Sequence, residues 1–157
     1  MTRECFISSA LALVVITGCH SESARRQELG RRTGDLYEIY LNGTREDARR
    51  SIVEANRLIE QASFSDWEEN RAFALFLGYG RLYSVDHRAG SNDLAQADLI
   101  KARYWALRSS EFHGDAASEA DRYVEKFAGD GDKLLTFIDK WERGANHDKD
   151  PKYIIQP

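Results

Sequence analysis

The sequence has few of the residues from which proteins build metal or redox sites. Its 157 residues include two cysteines and four histidines, and the histidines, His20, His87, His113 and His147, are far apart. No two of them have the i, i+4 spacing of a zinc-binding helix. The run Asp130-Gly131-Asp132 lacks the alternating oxygen ligands and final glutamate of an EF-hand, so it predicts a helix cap. We therefore expect no metal site and no cofactor.

Signals for the common catalytic motifs are missing as well. No serine has a nucleophile-elbow sequence around it, and no glycine-rich phosphate loop follows a strand, because no stretch has a strand pattern. Acidic neighbours such as Glu68 and Glu69 fit a solvent-facing helix start better than a pocket. The sequence predicts a non-catalytic protein; a helical lytic enzyme with a single hidden glutamate is the alternative.

Excess positive charge is also lacking. The chain has 22 Lys and Arg against 26 Asp and Glu, a formal net charge of −4. This balance gives no support to nucleic-acid binding. Four arginines, Arg25, Arg26, Arg31 and Arg32, cluster near the amino terminus. They fit a solvated segment, and contact with anionic lipid headgroups is the alternative.

The first 19 residues have the three-part form of an export signal. Arg3 supplies a positive charge, and residues 6–16 form an apolar run that is too short to span a bilayer. The run ends at Ile16-Thr17-Gly18-Cys19, which resembles the lipobox of bacterial lipoproteins. A plain secretory signal peptide that happens to end near a cysteine is the alternative.

The lipobox resemblance implies that residues 1–18 are removed and that Cys19 becomes the first residue of the mature protein. Cys19 would carry a diacylglycerol thioether and usually an amino-terminal acyl group, which together hold a protein firmly on a membrane. Cys5 leaves with the signal, so no disulfide is expected. His20, rather than an aspartate, follows Cys19, which favours the periplasmic face of the outer membrane over the inner membrane.

The remaining sequence predicts an all-α protein. Residues 19–34 are polar and are interpreted as a tether, residues 35–144 as the helical domain, and residues 145–157 as a tail. Apolar spacing, capping residues and glycine-containing turns predict about six helices, at residues 35–41, 45–62, 67–87, 93–110, 116–128 and 133–143. Thr44 and Asp47 resemble a capping box at the start of the second helix. The fourth helix has an apolar stripe that includes Ala102, Trp105 or Ala106, and Leu107, and Asp132 is expected to cap the last helix, with Leu134 and Ile138 inward. The central stretch 67–87 is apolar on nearly every side, so we expect helices to surround it.

Two segments of the domain repeat each other. Gly43-Thr44-Arg45-Glu46-Asp47-Ala48, followed by Ile52 and Ala55, has the spacing of Gly90-Ser91-Asn92-Asp93-Leu94-Ala95, followed by Leu99 and Ala102. This pattern resembles a tetratricopeptide-type repeat, which implies antiparallel helical hairpins. The copies lie 47 residues apart (90 − 43), against about 34 in that family, and lack its closing proline. A small non-repeat helical bundle is the alternative.

The resemblances together favour a membrane-anchored, non-catalytic lipoprotein that binds a protein or peptide in the cell envelope. By analogy with tetratricopeptide grooves, the candidate binding residues lie on the first helix of each pair. They are Tyr37, Tyr40, Leu41, Ser84, His87 and Arg88. An ordinary core role is the other interpretation of Tyr37 and Tyr40. Two other functions stay open: an envelope hydrolase acting on cell-wall glycan or peptide, and a structural, exclusion or immunity lipoprotein.

Overall fold

The computed structural model describes residues 8–113 and 130–145, with side chains for 21–111 and 130–144. These residues form five helices and no strand: α1 Ser8–Asn42, α2 Arg45–Gln61, α3 Glu68–Arg88, α4 Asn92–His113 and α5 Gly131–Ala145. The predicted all-α class is confirmed. The predicted helix at 116–128 and the residues of the tail after Ala145 lie outside the described residues. Within the described part of the chain, no helix has the length and hydropathy of a membrane span.

Helix α3 is the centre of the fold. It packs against α2, α4 and α5, while α1 packs on α2. Residues along most of its length are buried, including Leu75, Phe76 and Val85. A helix surrounded on several sides is apolar around its circumference rather than along one stripe. The predicted central helix, with its start after Asp66, is therefore confirmed.

Two glycines inside α3 provide room for side chains from the neighbouring helices. A Cβ at Gly78 would collide with the side-chain oxygen of Asn56 on α2, and one at Gly80 would lie 2.6 Å from Cδ1 of Ile138 on α5. Glycine costs a helix interior about 1 kcal/mol relative to alanine. Close packing by two helices is the compensation.

Helix α2 follows its sequence signals. The Thr44 side chain accepts from the Asp47 N–H, and the Asp47 side chain accepts from the Thr44 N–H, so the predicted capping box is confirmed. Ala48, Ile52 and Ala55 of the predicted apolar stripe are buried.

Helix α1 differs from the prediction at its amino-terminal end. A helix start was expected at Gly34-Asp35, but α1 is continuous from Ser8 to Asn42. Ion pairs at i, i+3 and i, i+4 spacing, Glu22–Arg26, Glu28–Arg31 and Arg31–Asp35, stabilise its polar middle section. Gly34 therefore does not end or begin the helix.

Two details of α4 and α5 also differ from the prediction. Leu107 is predicted on the buried stripe of α4 but is exposed, whereas Ala106, also predicted on that stripe, is fully buried. Asp132 was expected to cap α5, but Asp130 does so: its Oδ1 accepts from the N–H groups of Asp132 and Lys133. The predicted inward residues Leu134 and Ile138 are buried.

Candidate functional site

A groove of about 320 Å³ lies between α1, α2 and α3. We call it the interhelix groove. Its walls include Gly30, Gly34 and Tyr37 from α1, Asn56 and Ile59 from α2, and Arg81 from α3. Its volume is at the lower end of the range for small-ligand pockets, about 300–1,000 Å³. The groove can therefore hold one or two side chains of a partner or a small molecule.

The groove exists because α1 has glycine on the side that faces it. Gly30 and Gly34 are four residues apart and share one face of the helix. A Cβ built on either of them meets no atom within 4 Å. A Cβ at either position would therefore lie in open space.

Asn56 is the most unusual group in the groove wall. Only 3% of the residue is exposed, and its amide Nδ2 has no hydrogen-bond partner among the described residues. A buried polar group left unpaired costs about 1–3 kcal/mol. Asn56 also lines the groove, although its Nδ2 atom is itself buried, so a ligand acceptor would relieve that cost once the amide turns toward the groove.

The end of the groove near Tyr37 is fixed by a buried ion pair. Arg81 Nε donates to Glu142 Oε1 at 2.7 Å, and the side chains of Arg81 and Glu142 are 16% and 2% exposed. The Tyr37 hydroxyl donates to Glu142 Oε2. The Arg81 guanidinium also lies 4.6 Å from the centroid of the Tyr37 ring. These contacts join α1, α3 and α5, so this end of the groove is preorganised.

A second buried charged group lies away from the groove. Arg49 Nε contacts both carboxylate oxygens of Asp86, at 2.9 and 3.0 Å. Asp98 is also buried, and its Oδ2 has no hydrogen-bond partner in the described part of the chain. Burial, followed by the hydrogen bond and charge of Asp86, raises the pKa of Asp98 to about 7. The Asp98 carboxyl therefore keeps its proton to a higher pH than an exposed aspartate does.

The Asp86–Asp98 pair does not have the surroundings of a glycan-cleaving pair. Such enzymes place their two carboxyl groups on either side of a bound sugar, in a pocket that admits it. Asp86 and Asp98 are 2% and 6% exposed, and neither lines the groove. The pair neutralises Arg49 and joins α2, α3 and α4 in the core.

The sequence-predicted binding residues do not form one surface. Tyr37 lines the groove, and Tyr40 and Ser84 are fully buried. Leu41 is half-buried and packs on the core. The last two, His87 and Arg88, lie at the end of α3, where Arg88 forms an ion pair with Asp139 at 2.7 Å.

Sequence reasoning missed every residue of the groove wall except Tyr37, including Gly34, Asn56 and Arg81. One available signal was the i, i+4 spacing of Gly30 and Gly34. Another was the polar Asn56 at the i+4 position from Ile52, inside the apolar stripe of α2. Nothing local in the sequence pairs Arg81 with Glu142, 61 residues away.

Among the described residues, no group of three or more histidine, cysteine, aspartate or glutamate side chains is placed to hold a metal ion. The side chains of Cys19, His20 and His113 and all of His147 lie outside the described residues. Comparisons of the chain with protein-family models, with curated proteins and with solved structures find no match.

Proposed function

We propose that this chain is a lipid-anchored protein of the bacterial cell envelope that binds a short apolar peptide segment of another protein in the interhelix groove. The observation that carries the binding proposal is the Asn56 amide, which is 3% exposed and unpaired in the wall of an open groove. The lipobox at Ile16-Thr17-Gly18-Cys19 supports the anchor and the envelope location.

The chemistry of the groove favours a peptide as the ligand. Most of its wall is apolar, with Ile52, Ile59 and Leu77 among the side chains, and Asn56 adds one hydrogen-bond donor. A peptide segment presents apolar side chains beside main-chain carbonyl acceptors, which is the combination that this wall can satisfy. We assign the donor role to Asn56 Nδ2 and the apolar contacts to Tyr37 and the α2 side chains.

Site-specific crosslinking tests the groove directly. A photoreactive phenylalanine analogue would replace Thr33, which lines the groove, or Arg103, which is exposed on α4. We expect a discrete crosslinked product in cells from position 33 and none from position 103. The product should disappear when the Gly34→Leu change fills the groove.

Selection of peptides from a random library on the purified mature protein tests the same groove in vitro, with peptide affinity as the measured quantity. Peptides that bind the wild type should lose affinity at least tenfold for Gly34→Leu and retain it for Gly144→Leu. A Cβ meets no atom within 4 Å at either glycine, so both variants should fold. Equal peptide binding by the two variants would refute the groove assignment.

The anchor is tested separately, with a fatty-acid analogue in a bacterial host. Wild-type protein should incorporate the label and sediment with membranes, and Cys19→Ser should do neither. An unlabelled, soluble wild-type protein would refute the lipoprotein part of the proposal and leave the groove assignment standing.

A further inference from the structure

The helix that leads from Cys19 into the domain is hydrogen-bonded to the turn between α2 and α3 within one helical turn of that cysteine. We call residues 62–67 the α2–α3 turn. Glu22 Oε1 accepts from the Ser65 N–H at 3.1 Å and from the Ser65 hydroxyl at 2.7 Å. Arg26 forms an ion pair with Glu22 at 2.8 Å and donates to the Ser65 carbonyl oxygen. The turn is therefore attached to α1 at Glu22 and Arg26.

Aromatic and cationic groups reinforce this attachment. The guanidinium of Arg26 lies 4.9 Å from the centroid of the Phe64 ring, and that of Arg25 lies 5.8 Å from it. The Phe64 ring packs edge-on against Trp67, with 5.3 Å between the centroids. Arginine side chains are suited to the interface between headgroups and water.

The backbone of Cys19 lies in the same continuous helix, three residues before Glu22. Three residues of α-helix rise about 4.5 Å along the axis. A lipid on Cys19 would therefore hold the α2–α3 turn close to the headgroups.

We infer that the α2–α3 turn, with Arg25 and Arg26, is a membrane-facing surface that rests on the phospholipid headgroups, while the turn between α3 and α4 points away from the bilayer. This inference depends on the lipid anchor of the proposed function. In this arrangement a continuous helix, rather than a flexible tether, connects Cys19 to the domain. The orientation of the domain on the membrane is therefore fixed.

The charge at this end indicates which lipids the surface accepts. Arg25 and Arg26 are accompanied by Glu22, Asp66 and Glu68, so the surface has no cationic excess. Anionic lipid is therefore not required, and the contact is set by the anchor and the helix. A zwitterionic phospholipid surface is the partner that this end fits.

Fluorescence quenching on vesicles tests the orientation. The full mature, lipidated protein would carry a single fluorophore at Ser63→Cys in the α2–α3 turn or at Asn92→Cys, the first residue of α4, beside the far end of α3; both positions are exposed. The 21 residues of α3 separate them by about 31 Å. The vesicles would be phosphatidylcholine with a small fraction of headgroup spin-labelled lipid, with or without phosphatidylglycerol.

We expect at least threefold stronger quenching at position 63 than at position 92, with little change when phosphatidylglycerol is added. Equal quenching of lipidated protein at the two positions would overturn the inference and leave the anchor intact. Protein that carries no lipid and does not bind vesicles would overturn the anchor and the inference together.

A matched variant tests whether the helix sets the orientation. Inserting Gly-Ser-Gly-Ser-Gly-Ser between His20 and Ser21 leaves the lipobox and the domain unchanged but interrupts α1 beside the anchor. Quenching at position 63 should fall to the level seen at position 92. Strong quenching that persists after the insertion would show that the helical connection does not orient the domain.

Discussion

Asn56 on α2 occupies the space that any side chain at position 78 of α3 would need. A Cβ at Gly78 would meet the Asn56 side-chain oxygen, carbon and nitrogen before any other atom. This contact connects the central helix to the wall of the groove, so the shape of the groove and the stability of the core depend on the same pair.

Gly78→Ala should therefore destabilise the protein, although alanine is the better helix former. Overpacking a core costs about 1–3 kcal/mol, which exceeds the helical gain from alanine. Denaturant unfolding followed by circular dichroism measures the difference. Gly30→Ala is the control: its Cβ meets no atom within 4 Å, and it should stabilise the protein by about 0.5–1 kcal/mol. Equal effects of the two changes would contradict the packing described for Gly78.

Asn56→Leu should raise stability and lower peptide affinity at the same time. The change removes an unpaired buried donor, so the free energy of unfolding should rise by about 1 kcal/mol. The affinity of a peptide selected on the wild type should fall about tenfold, the equivalent of one lost hydrogen bond of about 1.4 kcal/mol.

Thermal unfolding and fluorescence polarisation provide the two measurements for Asn56. Asn70→Leu on the exposed side of α3 is the matched control and should change neither quantity substantially. A loss of stability in Asn56→Leu would indicate that the Asn56 amide has a structural partner and is not reserved for a ligand.

Glu142→Gln should destabilise the fold strongly, because it leaves the Arg81 charge buried without its carboxylate. Removing one partner of a buried ion pair typically costs about 3–5 kcal/mol. The double variant Arg81→Met, Glu142→Gln should regain a large part of the loss, which a double-mutant cycle in urea would measure. Glu111→Gln, from the exposed Arg108–Glu111 pair, should leave the urea midpoint nearly unchanged.

Stability should fall as the pH rises from about 4 to about 7. The pKa of Asp98 is about 7 in the folded protein against an ordinary value of 3.8, so in this interval the folded state holds a proton that the unfolded state has released. Raising the pH then favours unfolding. Below this interval both states are protonated, and above it both are ionised, so the contribution of Asp98 levels off at each end.

Urea unfolding of the wild type and of Asp98→Asn between pH 4 and pH 8 isolates this contribution. The free energy of unfolding of the wild type minus that of Asp98→Asn should fall as the pH rises from about 4 to about 7. The other titrating groups contribute equally to both proteins and cancel in this difference. Parallel pH profiles would show that Asp98 titrates normally, and that Asp86, Arg49 and Lys101 do not perturb it.

The parts of the fold that follow from local sequence were predicted correctly. The capping box at Thr44, the apolar stripe of α2 and the all-round apolar helix α3 each depend on residues within a few turns of one another. Helix α1 was predicted poorly in its amino-terminal half. Its ion pairs are local and were visible in the sequence, but the contacts with Ser65, 43 residues from Glu22, were not. Without those contacts, Gly34 has the sequence signal of a helix boundary.

The groove was harder to predict than the helices. Its space comes from two glycines on α1, its unpaired donor from α2 and its closed end from a pair between α3 and α5. Each contribution is ordinary in its own helix, and only the tertiary arrangement brings them together. Tyr37 is the one residue that both the sequence and the structure place there. The tetratricopeptide and lipoprotein resemblances stay predictions.

Because α1 is continuous, the connection from Cys19 to the domain has a defined direction around the helix axis as well as a defined length. Each residue of an α-helix turns about 100° around the axis. Deleting one residue between Cys19 and Glu22 would therefore swing a lipid on Cys19 about a quarter of a turn around the domain. An insertion of three or four helical residues there would nearly restore its direction. In a chain with this geometry, the number of residues between Cys19 and the domain would decide toward which side of the domain a lipid on Cys19 points.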